Sequence, residues 1–410
     1  MLQSMLESGR LAQEVVARSN ASQRNKILEK MAELLKEREA LILEANRKDL
    51  ENSSDLPPSL KKRLGLSASQ IARLIDGIGV VIRQPDPLGQ GEGQRRLANG
   101  LSIEAVHVPL GVIGLIFESR PGVAIEATAL IVKSGNAAIL RGGHEALESI
   151  RVLVECWQDA ISASGFDRNL VQAILDPDRR HVTDLMHLNG LDLLIPRGGP
   201  GLIQRVIREA TVPVIETGVG NCHVYVDESA DITMAVDIVT NAKVSNPGVC
   251  NAAETVLVHR NIAEKFLPVL EQQLRRHDVV LHADSESRSY LSFAMPATEE
   301  DFATEYLSLD LAVKVVQDLD DALRHIAQFG TKHSEAIVTN SYSHGERFLN
   351  TVDAAVVYWN ASTRFSDGYE FGMGGEVGIS TQKLHARGPM GLGALTTWKW
   401  IARGQGQIRI

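Results

Sequence analysis

The chain has 410 residues, 44% of them hydrophobic and 23% charged, with a formal net charge of −9 at pH 7. That length exceeds one ordinary core and predicts two or three domains, while the acidic balance argues against a nucleic-acid partner. Three scattered cysteines, Cys156, Cys222 and Cys250, fit neither a disulfide framework nor a zinc site, and no metal is expected. The N-terminus lacks a hydrophobic secretion core and no apolar stretch reaches spanning length, so the expectation is a cytoplasmic protein without membrane contact.

Residues 1–50 read as helices. Ser22 can cap a segment that carries Ile27, Met31, Leu34 and Leu35 on one face, followed by Leu41, Ile42 and Ala45. Residues 67–82 form another helix, with Leu74, Ile75 and Ile78 at helical spacing. After a polar, Gly-rich stretch over 83–100, Leu101, Ile103, Ala105 and His107 alternate with Ser102, Glu104 and Val106. The alternation predicts a hairpin strand rather than a central one.

A run of α/β units follows. Strands are predicted over 112–117, 137–140, 170–174, 191–195 and 213–216, with helices over 123–134, 144–164, 178–188 and 202–209 between them. Beyond Glu216 the style continues, with strands over 224–226, 255–258, 309–316 and 336–338 and helices over 230–244 and 261–275. Strands alternating with helices imply parallel, doubly wound sheets with ligands at strand C-terminal ends. The expected fold is therefore α/β, in two lobes over 1–216 and 217–385, with 386–410 as a return segment. The tail over 395–410 either joins the 92–108 excursion in an intersubunit sheet or frays.

One residue stands out chemically. In Ser245-Asn246-Pro247-Gly248-Val249-Cys250-Asn251, Asn246 can cap a helix and Pro247 suits its first position. Cys250 would then lie near a helix start, where unpaired N–H groups and the dipole favour a thiolate. The alternative is a buried structural cysteine. Likewise, the turn Pro196-Arg197-Gly198-Gly199-Pro200-Gly201 lets backbone approach a pyrophosphate closely at a helix start, through Gly198 and Gly199.

Several longer segments carry a resemblance. They include Phe117-Glu118-Ser119-Arg120-Pro121, Val214-Ile215-Glu216-Thr217-Gly218, the run 243–252 around Cys250, and Phe329-Gly330-Thr331-Lys332-His333-Ser334-Glu335. Val357-Tyr358-Trp359-Asn360 and the run 380–391 add to them. On these the chain resembles the aldehyde dehydrogenase superfamily and, within it, the family of gamma-glutamyl phosphate reductases, over essentially its whole length. The resemblance implies two doubly wound lobes plus a small β oligomerisation element. It also implies NADPH-dependent reduction of L-glutamyl 5-phosphate to L-glutamate 5-semialdehyde, the second step of proline synthesis from glutamate. A homo-oligomer, dimer or tetramer, is expected.

The resemblance implies roles residue by residue. Cys250 is the nucleophile, and Glu216 matches the superfamily glutamate near it, the alternative being a carboxylate that holds a strand-end turn. Ser119 stands where wider relatives place an oxyanion-binding asparagine, and Arg120 follows as an anion contact or a salt-bridge partner. Lys243 and Asn251 flank the nucleophile; Lys243 either faces the cleft or is solvated. His223 and His333 line the substrate cleft, the alternative for His333 being to brace a loop. Arg364 and residues 383–388 supply positive charge for a dicarboxylate-like substrate or for interface salt bridges. For the cofactor, Arg141, Gly142 and His144 correspond to the segment that meets the adenosine ribose, and arginine without a carboxylate there favours NADPH. Glu305 matches the glutamate that reaches the nicotinamide ribose. Two rival readings stand beside this one. The first is another cysteine-dependent semialdehyde dehydrogenase. The second is a silent nucleotide-binding scaffold partnered with the upstream glutamate 5-kinase.

Overall fold

The helix expected in the second segment starts two residues early for a capping reason. Asn20 accepts from the Gln23 N–H and Gln23 returns a bond to the Asn20 N–H, so Asn20 rather than Ser22 caps Ala21–Glu37. The reciprocal pair needs an amide three residues on, and Gln23 provides it. Ser67 and Gln70 make the same box at the start of Ala68–Arg83. The computed structural model describes residues 1–409, with all side chains except those of Pro58, Ser59 and Pro200. Contacts divide the chain into two units. The first comprises Met1–Thr217, Gly368–Gly378 and the chain from Pro389 onward; the second comprises Gly218–Asp367 and Ile379–Gly388.

The first unit is built on a four-stranded parallel sheet in the order Val171–Ala173, Ala137–Arg141, Val112–Phe117, Leu193–Arg197. The strand Val112–Phe117 is buried at every position, as a strand covered by helices on both faces must be. The order steps outward from Val112–Phe117 and then returns to its other side at Leu193–Arg197, which creates a topological switch point between these two strands. The strand expected over 213–216 is reduced to one bridge between Leu194 and Val214. Pro213 has no N–H to extend the ladder. Among the helices, Arg24 is fully buried and reaches Asp86 at 2.5 Å and the Lys133 carbonyl at 3.0 Å.

A separate antiparallel sheet in this unit joins Gly91–Arg96, Ser102–Pro109 and Thr396–Arg403. The strand over 101–107 is therefore a hairpin strand and also the central one, which its alternation did not reveal. The C-terminal tail supplies the second neighbour, a pairing nearly 300 residues distant. Trp398 and Trp400 remain 43% and 63% exposed on it.

The second unit holds a seven-stranded sheet in the order Met295–Pro296, Val280–Ala283, Asp310–Val316, Ala253–His259, Cys222–Val226, Ser334–Val338, Val356–Trp359. All pairs are parallel. Between Cys222 and His223 the register against Ala253–His259 slips, Cys222 facing Ala253 and His223 facing Thr255. Glu254 is thus the extra residue of a bulge, a device that re-aims side chains beside functional sites. No helix among the described residues is long and apolar enough to cross a membrane.

Replacing Arg24 tests the helical layer. Arg24→Ala strands the Lys133 carbonyl and Asp86, and a loss of about 3 kcal/mol is expected from breaking a buried pair. The urea midpoint reads it, and an unchanged midpoint would show that this guanidinium does not brace the helices.

Candidate active site

Cys250 does not begin a helix. The helix Ile232–Val244 ends before it, with Ser245 as C-cap, and the strand Ala253–His259 starts three residues after it. The segment 246–252 is a turn closed by the Ala252 N–H on the Val249 carbonyl at 3.0 Å. The helix-start argument for a thiolate therefore falls: Asn246-Pro247 opens a turn here, because the chain must pass from helix to strand in a few residues. Cys250 is partly exposed, whereas Cys156 and Cys222 are buried.

The turn is clamped from several sides. Gly220 packs so closely that a Cβ there would sit 1.5 Å from the Cys250 carbonyl oxygen. The same carbonyl accepts from the Cys222 thiol at 3.1 Å. Thr363 Oγ1 donates to the Asn251 carbonyl at 2.7 Å, and Asn251 Nδ2 donates to the Ser366 carbonyl at 2.8 Å. Arg364 bonds Asn251 Oδ1 and, at 3.0 Å, Ser245 Oγ. Glu305 accepts from the Gly220 N–H at 2.8 Å, so it braces this turn from the other side. Gly220 and Cys250 both stand at the N-terminal ends of their strands, the opposite end from the one that parallel sheets ordinarily offer to ligands.

The charged and imidazole groups expected near the nucleophile are turned inward. Lys243 is fully buried and meets the equally buried Glu254 at 2.5 Å. Burial pulls the lysine down and pushes the glutamic acid up, and their mutual attraction opposes both. Its ammonium is committed to the bulged residue, so the cleft-facing and solvated readings of Lys243 both give way. His223 is fully buried, with Nδ1 3.0 Å from Glu335 Oε2. His333 is fully buried too, 2.9 Å from Ser334 Oγ and 3.8 Å from Cys222 Sγ, and burial pushes its imidazole down to about 4. Of the two alternatives for His333, bracing is the one the burial supports, and the cleft-lining expected of His223 gives way to its pairing with Glu335. Arg364 is taken up by Asn251 and Ser245. Lys383 and Arg387 meet Asp353 at 3.1 and 2.8 Å, holding its carboxyl down at about 2.

The other expected residues gather at the strand C-terminal ends of the first unit, beside its switch point. Ser119 takes a positive φ of 45° and gives both its N–H (2.8 Å) and its hydroxyl (2.5 Å) to Glu145 Oε1. Both donors are spent on Glu145 rather than offered to an oxyanion, and the following Arg120 is half-buried. Arg141 is 3% exposed and bonds the carbonyls of Gly142, Pro177 and Asp178. The ribose-phosphate contact expected of its guanidinium is not presented. His144 is the exposed basic group of this turn, at 62% side-chain exposure. A Cβ at Gly142 would fall 2.0 Å from Ile150 Cδ1, and one at Gly198 2.5 Å from Glu118 Oε2. Glu118 also accepts from the Gly199 N–H at 2.7 Å. A carboxylate thus already occupies the helix start expected to receive a pyrophosphate. Glu216 is half-buried, and burial pushes its carboxyl up.

Three adjacent parallel strands ending in Glu118-Ser119, Gly142-Gly143 and Gly198-Gly199 fit a dinucleotide laid across their ends. The fit lies in the Gly-lined turns and His144 rather than in Arg141 or an open helix start. Among the described residues, no group of three or more His, Cys, Asp or Glu side chains could hold a metal ion. Gly220, Cys222, Glu145, Glu254 and Thr363 were not among the expected site residues. Only Gly220, in Gly218-Val219-Gly220, carried a local signal.

Two outcomes follow from this geometry. Gly220→Ala forces the Cys250 carbonyl aside, and turnover is expected to drop on the order of a hundredfold, the effect of an ångström-scale misplacement. Steady-state kinetics on the folded variant checks it, and near-normal turnover would refute the clamp. His333 takes up a proton in the unfolded chain near its ordinary 6.5 but in the folded one only near 4. Its contribution to stability is complete above the higher value and is lost as pH falls toward the lower. His333→Asn should flatten that acid slope of the urea midpoint relative to the parent.

The aldehyde dehydrogenase family model matches residues 2–288. Gamma-glutamyl phosphate reductase of Carboxydothermus hydrogenoformans is 50% identical over 409 residues, 99% of each chain. The crystal structure of the Thermotoga maritima gamma-glutamyl phosphate reductase matches with a TM-score of 0.95 at 45% identity, covering 99% of both chains. An acetylating aldehyde dehydrogenase from Geobacillus thermoglucosidasius shares the fold at 20% identity and a TM-score of 0.72, over 99% of this chain and 97% of that one. The chain belongs to the gamma-glutamyl phosphate reductases of the aldehyde dehydrogenase family.

Proposed function

We propose that the chain reduces L-glutamyl 5-phosphate to L-glutamate 5-semialdehyde with release of phosphate, using NADPH, as the second step of proline biosynthesis. Identity of about half over nearly the full length of reductases bearing that name is the observation that carries the reading. The partly exposed, tightly held Cys250 supports it chemically.

The Cys250 thiolate attacks the acyl carbon, a C–S bond forms, and the C–O bond to phosphate breaks with its electron pair leaving on phosphate. This divides a difficult reduction into two accessible steps. The bound nicotinamide supplies the hydride that reduces the resulting thioester. Cys250 then leaves as the thiolate when the C–S bond breaks, and the aldehyde is free. Each step passes through an oxyanion, for which the Cys250 backbone N–H is the donor we assign. Arg120 is assigned the substrate's anionic oxygens, which a guanidinium meets in a forked pair.

Glu216 is assigned the thiol proton or the ordering of the cofactor, not activation of water, since hydrolysis would destroy the thioester. Its raised carboxyl suits a group that holds a proton. Glu305 and Asn251 are read as braces of the Cys250 turn, and Lys243 as the counter-ion of Glu254. For the cofactor phosphate, His144 is the basic group assigned. Its neighbour Glu145 accepts from Ser119 through Oε1 and lies 3.3 Å from His144 Nδ1 through Oε2, a carboxylate that pairs with the ring when it is protonated. The three-stranded sheet, with Trp398 and Trp400 exposed, suits a homo-oligomer.

The test runs the reaction backwards, following NADP+ reduction by glutamate 5-semialdehyde with and without inorganic phosphate. Strict phosphate dependence, abolished in Cys250→Ser and slower with NAD+, is expected. Phosphate-independent turnover would instead indicate a hydrolytic dehydrogenase with Glu216 as its base. Binding of NADP+ without turnover would favour the scaffold reading.

A further inference from the structure

We infer that Cys222 is a positioning residue for the reaction: its buried thiol, by donating to the Cys250 carbonyl, sets the conformation of the nucleophile's turn. This rests on the reading of Cys250 as the nucleophile.

Cys222 is fully buried at the first position of the strand Cys222–Val226, two residues beyond Gly220. Its Sγ lies 3.1 Å from the Cys250 carbonyl oxygen, well inside the range for a thiol donor. Burial pushes this thiol well above its ordinary value, so the sulfur keeps its proton and remains a donor across the working range of pH. The bond and the Gly220 contact act on one atom. Gly220 blocks the carbonyl from one side and Cys222 draws it from another, which fixes the Cys250–Asn251 peptide plane and with it the direction of the Cys250 side chain.

The thiol is itself held by a chain of buried groups that returns to the same turn. Behind it, His333 Nδ1 is 3.8 Å from Cys222 Sγ and 2.9 Å from Ser334 Oγ. Ser334 Oγ lies 2.5 Å from Ser366 Oγ, which the Tyr358 hydroxyl also meets at 2.8 Å. The Ser366 carbonyl accepts from Asn251 Nδ2 at 2.8 Å, closing the circuit one residue after Cys250. Every member comes from the second unit: Cys222, Ser334 and Tyr358 on three different strands, His333 just before one of them, Ser366 in the loop over 360–366 and Asn251 in the turn over 246–252. Connected circuits of this kind restrain conformation, and breaking one member disturbs more than a single bond; among these groups His333 Nε2 is buried with no hydrogen-bond partner. A solvent-exposed cysteine would serve no such purpose. A buried one that spends its proton on the nucleophile's own carbonyl does.

The test compares Cys222→Ala, Cys222→Val and Cys222→Ser with the parent in the full-length protein. Two readouts are used: kcat and KM in phosphate-dependent NADP+ reduction, and the rate at which iodoacetamide alkylates Cys250, followed on its peptide by mass spectrometry. Loss of the donor should lower kcat and the alkylation rate by about tenfold in Ala and Val, the scale of losing one positioning hydrogen bond, with KM for NADP+ little changed. Cys222→Ser restores a donor and should recover most of both. Should Ala fail to fold, the Val and Ser pair carries the same comparison. Parental kcat and alkylation in the folded Val or Ala variant would overturn the inference, as would a Ser variant no better than Val. Cys250→Ala separates the two readings. If it is inactive while Cys222→Ala is normal, only the positioning role fails; if it keeps turnover, the nucleophile itself is misassigned.

Discussion

The contact between Gly220 and the Cys250 carbonyl is the constraint around which the second unit's chemistry is arranged. There is no room for a side chain between them, so the turn before Cys222–Val226 and the turn before Ala253–His259 must approach as bare backbone. Adjacent parallel strands ordinarily separate their ends enough for side chains to intervene. Here the bulge at Glu254 changes the register between the two strands where they begin, and the turns close on each other. Glycine is needed for that approach, not for an unusual backbone angle.

Close packing of backbone leaves polar groups to be satisfied, and the surroundings of the turn answer this demand. Cys222, Thr363 and Glu305 each take a main-chain group of the two turns. The bulged Glu254 cannot face water, and Lys243 is drawn into the interior to meet it. Truncating either partner would leave a buried charge uncompensated, which costs far more than the pair contributes. His223 with Glu335 follows the same rule one layer further in. Residues that look like catalytic acids and bases in the sequence are thus paired in the interior around the Cys250 turn.

The first unit solves a different problem by similar means. Its switch point exposes strand ends and a helix start, and Glu118 and Glu145 tie these together through Gly199 and Ser119. Arg141 is enlisted for the neighbouring loop carbonyls. What remains at this edge are glycine turns packed against Ile150, Glu145 and Glu118, and the exposed His144. Charge near a ligand-binding edge is therefore no measure of which charges the ligand meets.

Much was legible in the sequence because it is written locally. The alternation of short apolar strands with amphipathic helices and the long motif around Cys250 specify an α/β chain of this family, since periodicity depends on near neighbours; the cap at Asn20 rather than Ser22 came from the structure. Where side chains point was another matter. Whether Lys243 faces solvent, a cleft or Glu254, whether Arg141 reaches outward, and whether Asn246-Pro247 opens a helix or only a turn depend on partners brought from elsewhere in the chain. The same holds for the central place of Ser102–Pro109, which is decided by a strand at the opposite terminus. Sequence determined most elements and the family; tertiary structure decided the direction of each charge, because burial and pairing act between residues that local pattern does not connect.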